Sequence, residues 1–276
     1  MSVERVLLTN DDGIHTVGFR ALYDALADEY EVVAVAPADD QSAVGRSLSN
    51  DVTVHEHELG YAVEGTPADC VVAGLGELYP EADAVVSGCN KGANLGQYVL
   101  GRSGTVSAAV EGAFFDVPAI ATSLYVPGGD DWWKRDLDRG HYQHAAHATR
   151  YLLDHAVDAG VFDEADYLNV NAPMADGDAA PRPDEGVAPM DVTKPSTLYE
   201  MGATRDGEEI TLHDRIWDRM REGDVPDPEG TDRRAIVEGH VSVSPLTAPH
   251  TTELHDALDG LASAYDDLEP PASEIR

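Results

Sequence analysis

The sequence predicts a doubly wound, Rossmann-like α/β protein with a mostly parallel sheet and a C-terminal extension that carries a hairpin arm. Over residues 1–172, short apolar strands alternate with helical segments, and polar loops follow successive strands. After residue 172 the amino-acid composition changes, and Pro, Gly and Asp become frequent. The 276 residues, 42% of them hydrophobic, are enough to bury a sizeable core. We therefore expect an α/β catalytic core over 1–172 and an extension over 173–276.

The chain begins with a predicted βαβ unit. Residues 5–9 are an apolar run typical of a buried strand, and residues 10–15 form the turn that leaves it. Apolar residues at helical spacing predict a helix over about 17–29, and a second apolar run over 31–36 ends at Pro37. Strand, helix and strand in this order predict parallel pairing, so the loops that follow the strands share one edge of the sheet.

The rest of the core continues this alternation. The predicted elements are a strand over 84–87, a small-residue helix that opens at 101–105 and runs to about Phe115, a strand over 119–122, a helix over 141–159 and a strand over 167–171. Within the extension we expect a linker over 172–190, a hairpin arm over about 197–217, a charged loop over 218–234, a strand over 241–246 that returns to the core and a helix over 253–266. Asp206-Gly207, at the centre of the arm, is a dipeptide typical of hairpin turns.

The charge balance is extreme, because 18 basic residues stand against 52 acidic ones and give a net charge of −34. Such a surface repels nucleic acid polymers and anionic membranes, so we expect neither as a partner. The acidic residues are spread along the chain, a pattern that resembles proteins of salt-loving microbes. Concentrated salt shortens the Debye length to about 3 Å at 1 M and makes this self-repulsion tolerable.

The sequence predicts a cytoplasmic location. No apolar stretch approaches the roughly 20 residues that span a bilayer. Residues 1–8 lead directly into the first strand, without a basic segment followed by an apolar one, so we expect no signal peptide.

Two adjacent aspartates, Asp11 and Asp12, follow the first predicted strand. Neighbouring carboxylates are costly unless a cation or a proton neutralises them, and hard divalent ions prefer carboxylate oxygen. The pair therefore suggests a site for Mg²⁺ or Mn²⁺. Taken alone, an Asp-Asp-Gly segment is also compatible with an ordinary solvated turn.

Three further polar segments follow strands or precede a helix on the same predicted edge. Ser42 offers a neutral oxygen ligand or a helix N-cap, and the side-chain carbonyl of Asn90 offers a metal ligand or stabilises a turn. Ser103-Gly104-Thr105 opens a helix, where free amides and hydroxyls either hold a phosphate or only cap the helix. Because four such segments meet at one edge, we favour a binding site.

Six stretches of the chain resemble the SurE family of survival-protein nucleotidases. They are Leu8–Ile14, Ala36–Ala43, Gly65–Val71, Ser87–Gly96, Ser103–Gly112 and Glu238–Leu246. The chain departs from the family pattern at Lys91 and Ala93, where an arginine and a glutamate are common, and at Thr16-Val17, where Ala-Pro is usual.

The resemblance implies a site and an activity. One divalent cation per subunit, Mg²⁺ or Mn²⁺, would be held by Asp11, Asp12, Ser42 and Asn90. The phosphate pocket would be lined by Asn94, Ser103, Gly104 and Thr105, with Thr66 nearby. Family members hydrolyse 5′- and 3′-nucleoside monophosphates, and form homodimers or homotetramers that exchange a C-terminal hairpin.

The mechanism that we favour is in-line attack by water activated by the cation, with Asp11 or Asp12 as the catalytic proton acceptor. A phosphatase with an aspartyl-phosphate intermediate on Asp11 is an alternative, although that class expects Asp-x-Asp after the first strand. A non-catalytic nucleotide-binding or sensory module is the alternative from a different class. A Rossmann dehydrogenase is disfavoured, because no GxGxxG follows the first strand.

Overall fold

The computed structural model describes residues 3–128, 131–175 and 187–248, together with His250, Leu258 and Leu261. Most of the helix expected over 253–266 and most of the linker expected over 172–190 lie outside these residues. No helix in the described part of the chain is long and apolar enough to cross a membrane.

A nine-stranded, mostly parallel sheet and a separate two-stranded hairpin contain the strands of the described residues. The strands are β1 (Arg5–Thr9), β2 (Glu31–Pro37), β3 (Thr53–His57), β4 (Gly60–Glu64), β5 (Ala84–Lys91), β6 (Ala119–Tyr125), β7 (Tyr167–Pro173), β8 (Met190–Val192), β9 (Met201–Asp206), β10 (Glu209–Asp214) and β11 (Val241–Leu246). The main sheet has the order β3-β4-β2-β1-β5-β6-β7-β11-β8, and only the β3–β4 and β11–β7 pairs are antiparallel. This order confirms the doubly wound fold class.

Helices cover both faces of the sheet. They are α1 (Val17–Leu26), α2 (Pro67–Ala73), α3 (Gln97–Leu100), α4 (Gly104–Phe114), α5 (Gln143–His155), α6 (Ile216–Glu222) and α7 (Asp232–Val237). The central strand β1 shows why two layers are needed, because Val6 and Leu8 join the cluster beneath α1 and α5 while Leu7 joins the cluster beneath α2 and α4. Strands buried on both faces are near-continuous apolar runs, as this one is.

The structure corrects several predicted boundaries. Helix α1 ends at Leu26 rather than at residue 29, α5 is shorter than the predicted 141–159, and β5 continues to Lys91. The β3–β4 hairpin and α2 were not expected. The segment 218–234 is not simply a loop, because α6 and α7 bury a few apolar side chains among charged ones.

The predicted hairpin arm is confirmed. Strands β9 and β10 pair from Met201↔Asp214 to Asp206↔Glu209, and Gly207 adopts a φ of +62° in the turn. In the single chain the arm carries exposed Ile210 and Leu212. The division of the chain at residue 172 stays a prediction, since β8 and β11 from the extension complete the same sheet as the core.

Asp69 takes part in capping the N-terminus of α2, and replacing its carboxylate should destabilise the fold. Its carboxylate accepts hydrogen bonds from the amides of Ser49 at 2.7 Å and Thr66 at 2.8 Å, and from the Ser49 hydroxyl at 2.8 Å. Although burial raises the pKa of Asp69, these hydrogen bonds outweigh it and lower the pKa overall. We expect Asp69→Asn to reduce the free energy of unfolding by about 1–2 kcal/mol at pH 7, measured by urea denaturation.

The pH dependence of this loss shows whether it arises from the negative charge of Asp69 or only from the shape of its side chain. Because the folded-state pKa of Asp69 is lowered, its contribution is complete above the unfolded value and is lost as pH falls through the folded value. The difference in free energy of unfolding between wild type and Asp69→Asn should therefore become smaller below about pH 4. Asp51→Asn, an exposed change of equal charge in the preceding segment, serves as the control. An equal loss in both variants would contradict the prediction.

Candidate active site at the carboxyl edge of the sheet

A cavity of about 390 Å³ opens where the parallel strands end. Its polar wall is built from residues that follow β1 and β2, that end or follow β5, and that precede α4: Asp11, Ser42, Asn90, Lys91, Asn94, Arg102 and Ser103. Ligands of doubly wound proteins bind at this edge, because the loops that leave parallel strands converge there. The structure therefore brings together five of the side chains that the sequence singled out.

Asp11 is buried and is held from two sides. Its side chain accepts a hydrogen bond from the hydroxyl of Thr105 at 2.6 Å, and its carbonyl accepts one from the amide of Gln41 at 2.7 Å. Burial raises the pKa of Asp11, and the hydrogen bonds from Thr105 oppose that rise. A buried carboxylate with a fixed orientation is suited to hold a cation.

Asp12 lies beside Asp11 and is oriented by β5, since its carboxylate accepts the amide hydrogen of Lys91 at 2.9 Å. Burial and, next in size, the charge of Asp11 raise the pKa of Asp12 to about 7. Two neighbouring carboxylates that both resist ionisation gain most from a bound cation, because a cation favours the charged form of each. The pair therefore fits a metal site.

Neutral oxygen atoms complete the donor set. The side-chain nitrogen of Asn90 donates to the backbone carbonyl of Gly92 at 2.6 Å. No side chain–mediated hydrogen bond within the described residues uses the side-chain oxygen of Asn90. Ser42 lies on the cavity wall, and its hydroxyl donates to Asp40 at 2.6 Å, which leaves its oxygen lone pairs as acceptors. The described part of the chain places no three His, Cys, Asp or Glu side chains together for a metal. A cation here would need these neutral oxygens, as Mg²⁺ and Mn²⁺ accept.

The N-terminus of α4 meets the aspartates. A Cβ atom on Gly104 would lie 2.7 Å from the Cβ of Asp11, so only glycine allows this approach. Ser103 caps the helix, and its hydroxyl oxygen accepts the amide hydrogen of Val106 at 3.1 Å while the side chain lines the cavity. The start of an eleven-residue helix beside a cation site favours an anion such as phosphate.

Asn94 is fixed by the strands behind it. Its amide donates to the side chain of Asn171 at 2.8 Å, and its carbonyl accepts hydrogen bonds from Asn169 at 2.9 Å and Asn171 at 3.1 Å. Its own side chain donates to Ser123 at 2.9 Å. The two asparagines of β7 were not singled out in the sequence, although their i, i+2 spacing in a buried strand is a usable signal.

Thr66 and Thr105 do not line the cavity. The hydroxyl of Thr66 donates to the carbonyl of Ser47 at 2.7 Å and caps α2, while the hydroxyl of Thr105 is engaged with Asp11. Their direct contact with phosphate stays a prediction.

Sequence reasoning assigned no role to the two cations on the cavity wall. The guanidinium of Arg102 lies 4.3 Å from the ring centroid of Tyr98 and forms no ion pair with the described residues. The amine of Lys91 donates to the carbonyls of Trp133 and Arg135. Cations are few in this chain, and the position of Arg102 directly before the helix cap was the available signal.

Fold and site together define a doubly wound α/β protein with an oxygen-lined acidic site beside a helix N-terminus. The family model described as Survival protein SurE matches residues 6–199, and the chain belongs to this family. The resemblance seen in the sequence is thereby confirmed.

Individual relatives are similar in sequence to this chain over nearly its whole length. The 5′-nucleotidase SurE of Haloarcula marismortui is 63% identical over 96% of this chain and 97% of its own length. That of Natronomonas pharaonis is 65% identical over 94% and 99%. Both come from halophilic archaea, in keeping with the acidic composition. The crystal structure of SurE protein from Aquifex aeolicus is 29% identical, with a TM-score of 0.72 over 95% of this chain and all of that one.

Proposed function

We propose that the protein is a metal-dependent phosphomonoesterase that hydrolyses nucleoside 5′-monophosphates, and also 3′-monophosphates, to nucleoside and phosphate. The observation that carries the proposal is the pair of adjacent carboxylates Asp11 and Asp12, of which Asp11 is buried and lies on the cavity wall together with Ser103, the N-cap of α4. The relatives' printed name, 5′-nucleotidase, supports the substrate class. The proposal includes one Mg²⁺ or Mn²⁺ per subunit, a homodimer or homotetramer, and a cytoplasmic location.

The residues of the cavity would have separate roles in binding the cation and the phosphate. Asp11, Asp12, Ser42 and Asn90 would hold the cation, which when bound neutralises phosphate charge and lowers the pKa of water. The hydroxyl of Ser103 and the first amides of α4 would receive the equatorial phosphate oxygens as charge develops there.

Proton acceptance and substrate orientation fall to other groups in the same cavity. Asp11 or Asp12 would accept the proton of the attacking water, because both are ionisable and lie at the cation site. The guanidinium of Arg102, on the cavity wall without an ion pair among the described residues, is suited to orient the phosphate.

Phosphate release from nucleoside monophosphates tests this function. In about molar KCl, which supports an acidic fold, we expect release with Mg²⁺ or Mn²⁺ and none with EDTA. The panel should include 5′- and 3′-monophosphates of all four bases and a phosphodiester as the negative control. A folded, metal-loaded protein that releases no phosphate would contradict the proposal and favour a nucleotide-binding sensor. A trapped phosphoenzyme would instead favour the aspartyl-phosphate mechanism.

A further inference from the structure

The cavity has an aromatic wall that neither metal binding nor phosphate binding uses. The same wall includes Tyr125 at the end of β6, Val126 directly after it, Trp132 from the segment that follows, and Trp217 from α6. At about 390 Å³ the cavity falls within the range of sites that hold small organic ligands. It therefore has space for more than a phosphate group.

Trp132 is seated against the polar end of the cavity. A Cβ atom on Gly92 would lie 2.8 Å from the indole atom Cη2 of Trp132, and Gly92 adopts a φ of +135°. The indole thus packs on bare backbone two residues after Asn90, where any larger residue would push it away. The side chain stays 37% exposed, so part of the ring is free to contact a ligand.

Trp217 is supported from behind by the extension. It packs against a buried apolar cluster that includes Leu95, Met220 and Ile236, and Tyr125 packs against the same cluster. Trp217 also lies on the cavity wall. Leu95 directly follows Asn94, so this tryptophan is tied to the loop that carries a predicted phosphate residue.

We propose that Trp132 and Trp217 form a subsite that binds the nucleobase of the substrate by stacking. This inference rests on the proposed function, because it assumes that phosphate occupies the polar end. With its phosphate near Ser103, the rest of a nucleoside monophosphate would occupy the remainder of the cavity, whose wall includes the aromatic rings of Trp132 and Trp217. Stacking recognises the π-face that every base has, so the subsite should accept all bases and favour the larger purines.

The three tryptophans of the chain allow a matched test. Trp132→Leu and Trp217→Leu each remove a ring from the cavity, whereas Trp133→Leu removes the neighbouring ring, which is 58% exposed and not on the cavity wall. We expect each cavity variant to lose about 5- to 150-fold in kcat/KM for adenosine 5′-monophosphate, mainly through KM. Hydrolysis of ribose 5-phosphate, which has no base, should change less than about threefold in every variant, and Trp133→Leu should resemble wild type.

A second readout does not depend on activity. Adenosine should quench tryptophan fluorescence in wild type and in Trp133→Leu, and the quenching should fall in the cavity variants. Trp132→Phe and Trp217→Phe keep an aromatic face and should recover most of the affinity, which excludes simple misfolding as the cause.

The outcomes separate this inference from the proposed function. Equal losses for adenosine 5′-monophosphate and ribose 5-phosphate, or quenching by adenosine that survives in both leucine variants, would overturn the base subsite. Failure of wild type to hydrolyse either phosphate would overturn the proposed function instead. Quenching that needs Trp132 and Trp217 would then still support a base subsite.

Discussion

Asp12→Asn should abolish most metal-dependent phosphate release without weakening the metal-free fold. As a proposed metal ligand, Asp12 should contribute at least the roughly 100-fold in activity that loss of a group behind the ligands can cost. Asn keeps the shape of the partly buried Asp12 side chain and removes its repulsion with Asp11, so the metal-free variant should unfold no more easily than wild type. Initial rates with Mn²⁺ and urea unfolding in EDTA, both in molar KCl, measure the two effects.

Thermal unfolding with added metal locates the effect of Asp12→Asn at the cation. A ligand at 100 times its Kd stabilises the folded state by about 2.7 kcal/mol, and wild type should therefore melt several degrees higher with Mn²⁺ than with EDTA. Asp12→Asn should lose most of that shift. Asp39→Asn, an exposed change of equal charge in the neighbouring loop and not on the cavity wall, should keep both the shift and the activity. A full metal shift in Asp12→Asn would show that the cation binds elsewhere.

The sequence was sufficient to predict which polar residues at strand ends meet on the cavity wall. Asp11 follows β1 and Asn90 lies at the end of β5, and these two strands pair in parallel through Thr9 and Ser87. Parallel pairing forces the ends of neighbouring strands to one edge, so a correct strand assignment places their polar residues together. Ser103, at the start of a helix, follows from capping preferences by the same kind of local reasoning.

The aromatic wall could not be predicted in this way. Trp132 and Trp217 come from segments 85 residues apart, neither has a strand or helix pattern that points to the cavity, and both sit beside charged residues typical of a surface. Their meeting depends on how the extension folds back on the core. Helices α6 and α7 escaped prediction for the same reason, because in them a few buried apolar residues are hidden among charged ones.

The extension also holds the loop of Asn94 through a buried ionic network. The carboxylate of Asp232 accepts the amide hydrogens of Gly96 at 2.6 Å and Ser196 at 3.0 Å. The next residue, Arg233, is 1% exposed and donates to the carbonyl of Leu198 at 2.7 Å, with Asp227 at 3.5 Å. The positive charge of Arg233 compensates the negative charges of two buried aspartates, so its removal would leave these charges buried without compensation.

Arg233→Met should therefore lower the free energy of unfolding by about 3–5 kcal/mol, because it leaves Asp227 and Asp232 buried without a positive partner. Arg234→Met is the matched control: it removes the same charge one residue later, from a solvent-exposed pair with Glu238, and should cost at most about 1 kcal/mol. Urea unfolding at fixed molar KCl measures both. In a chain with a net charge of −34, each variant adds the same general repulsion, so the difference between them isolates the buried network. Equal losses would mean that overall charge, rather than this network, decides how firmly the extension holds the site.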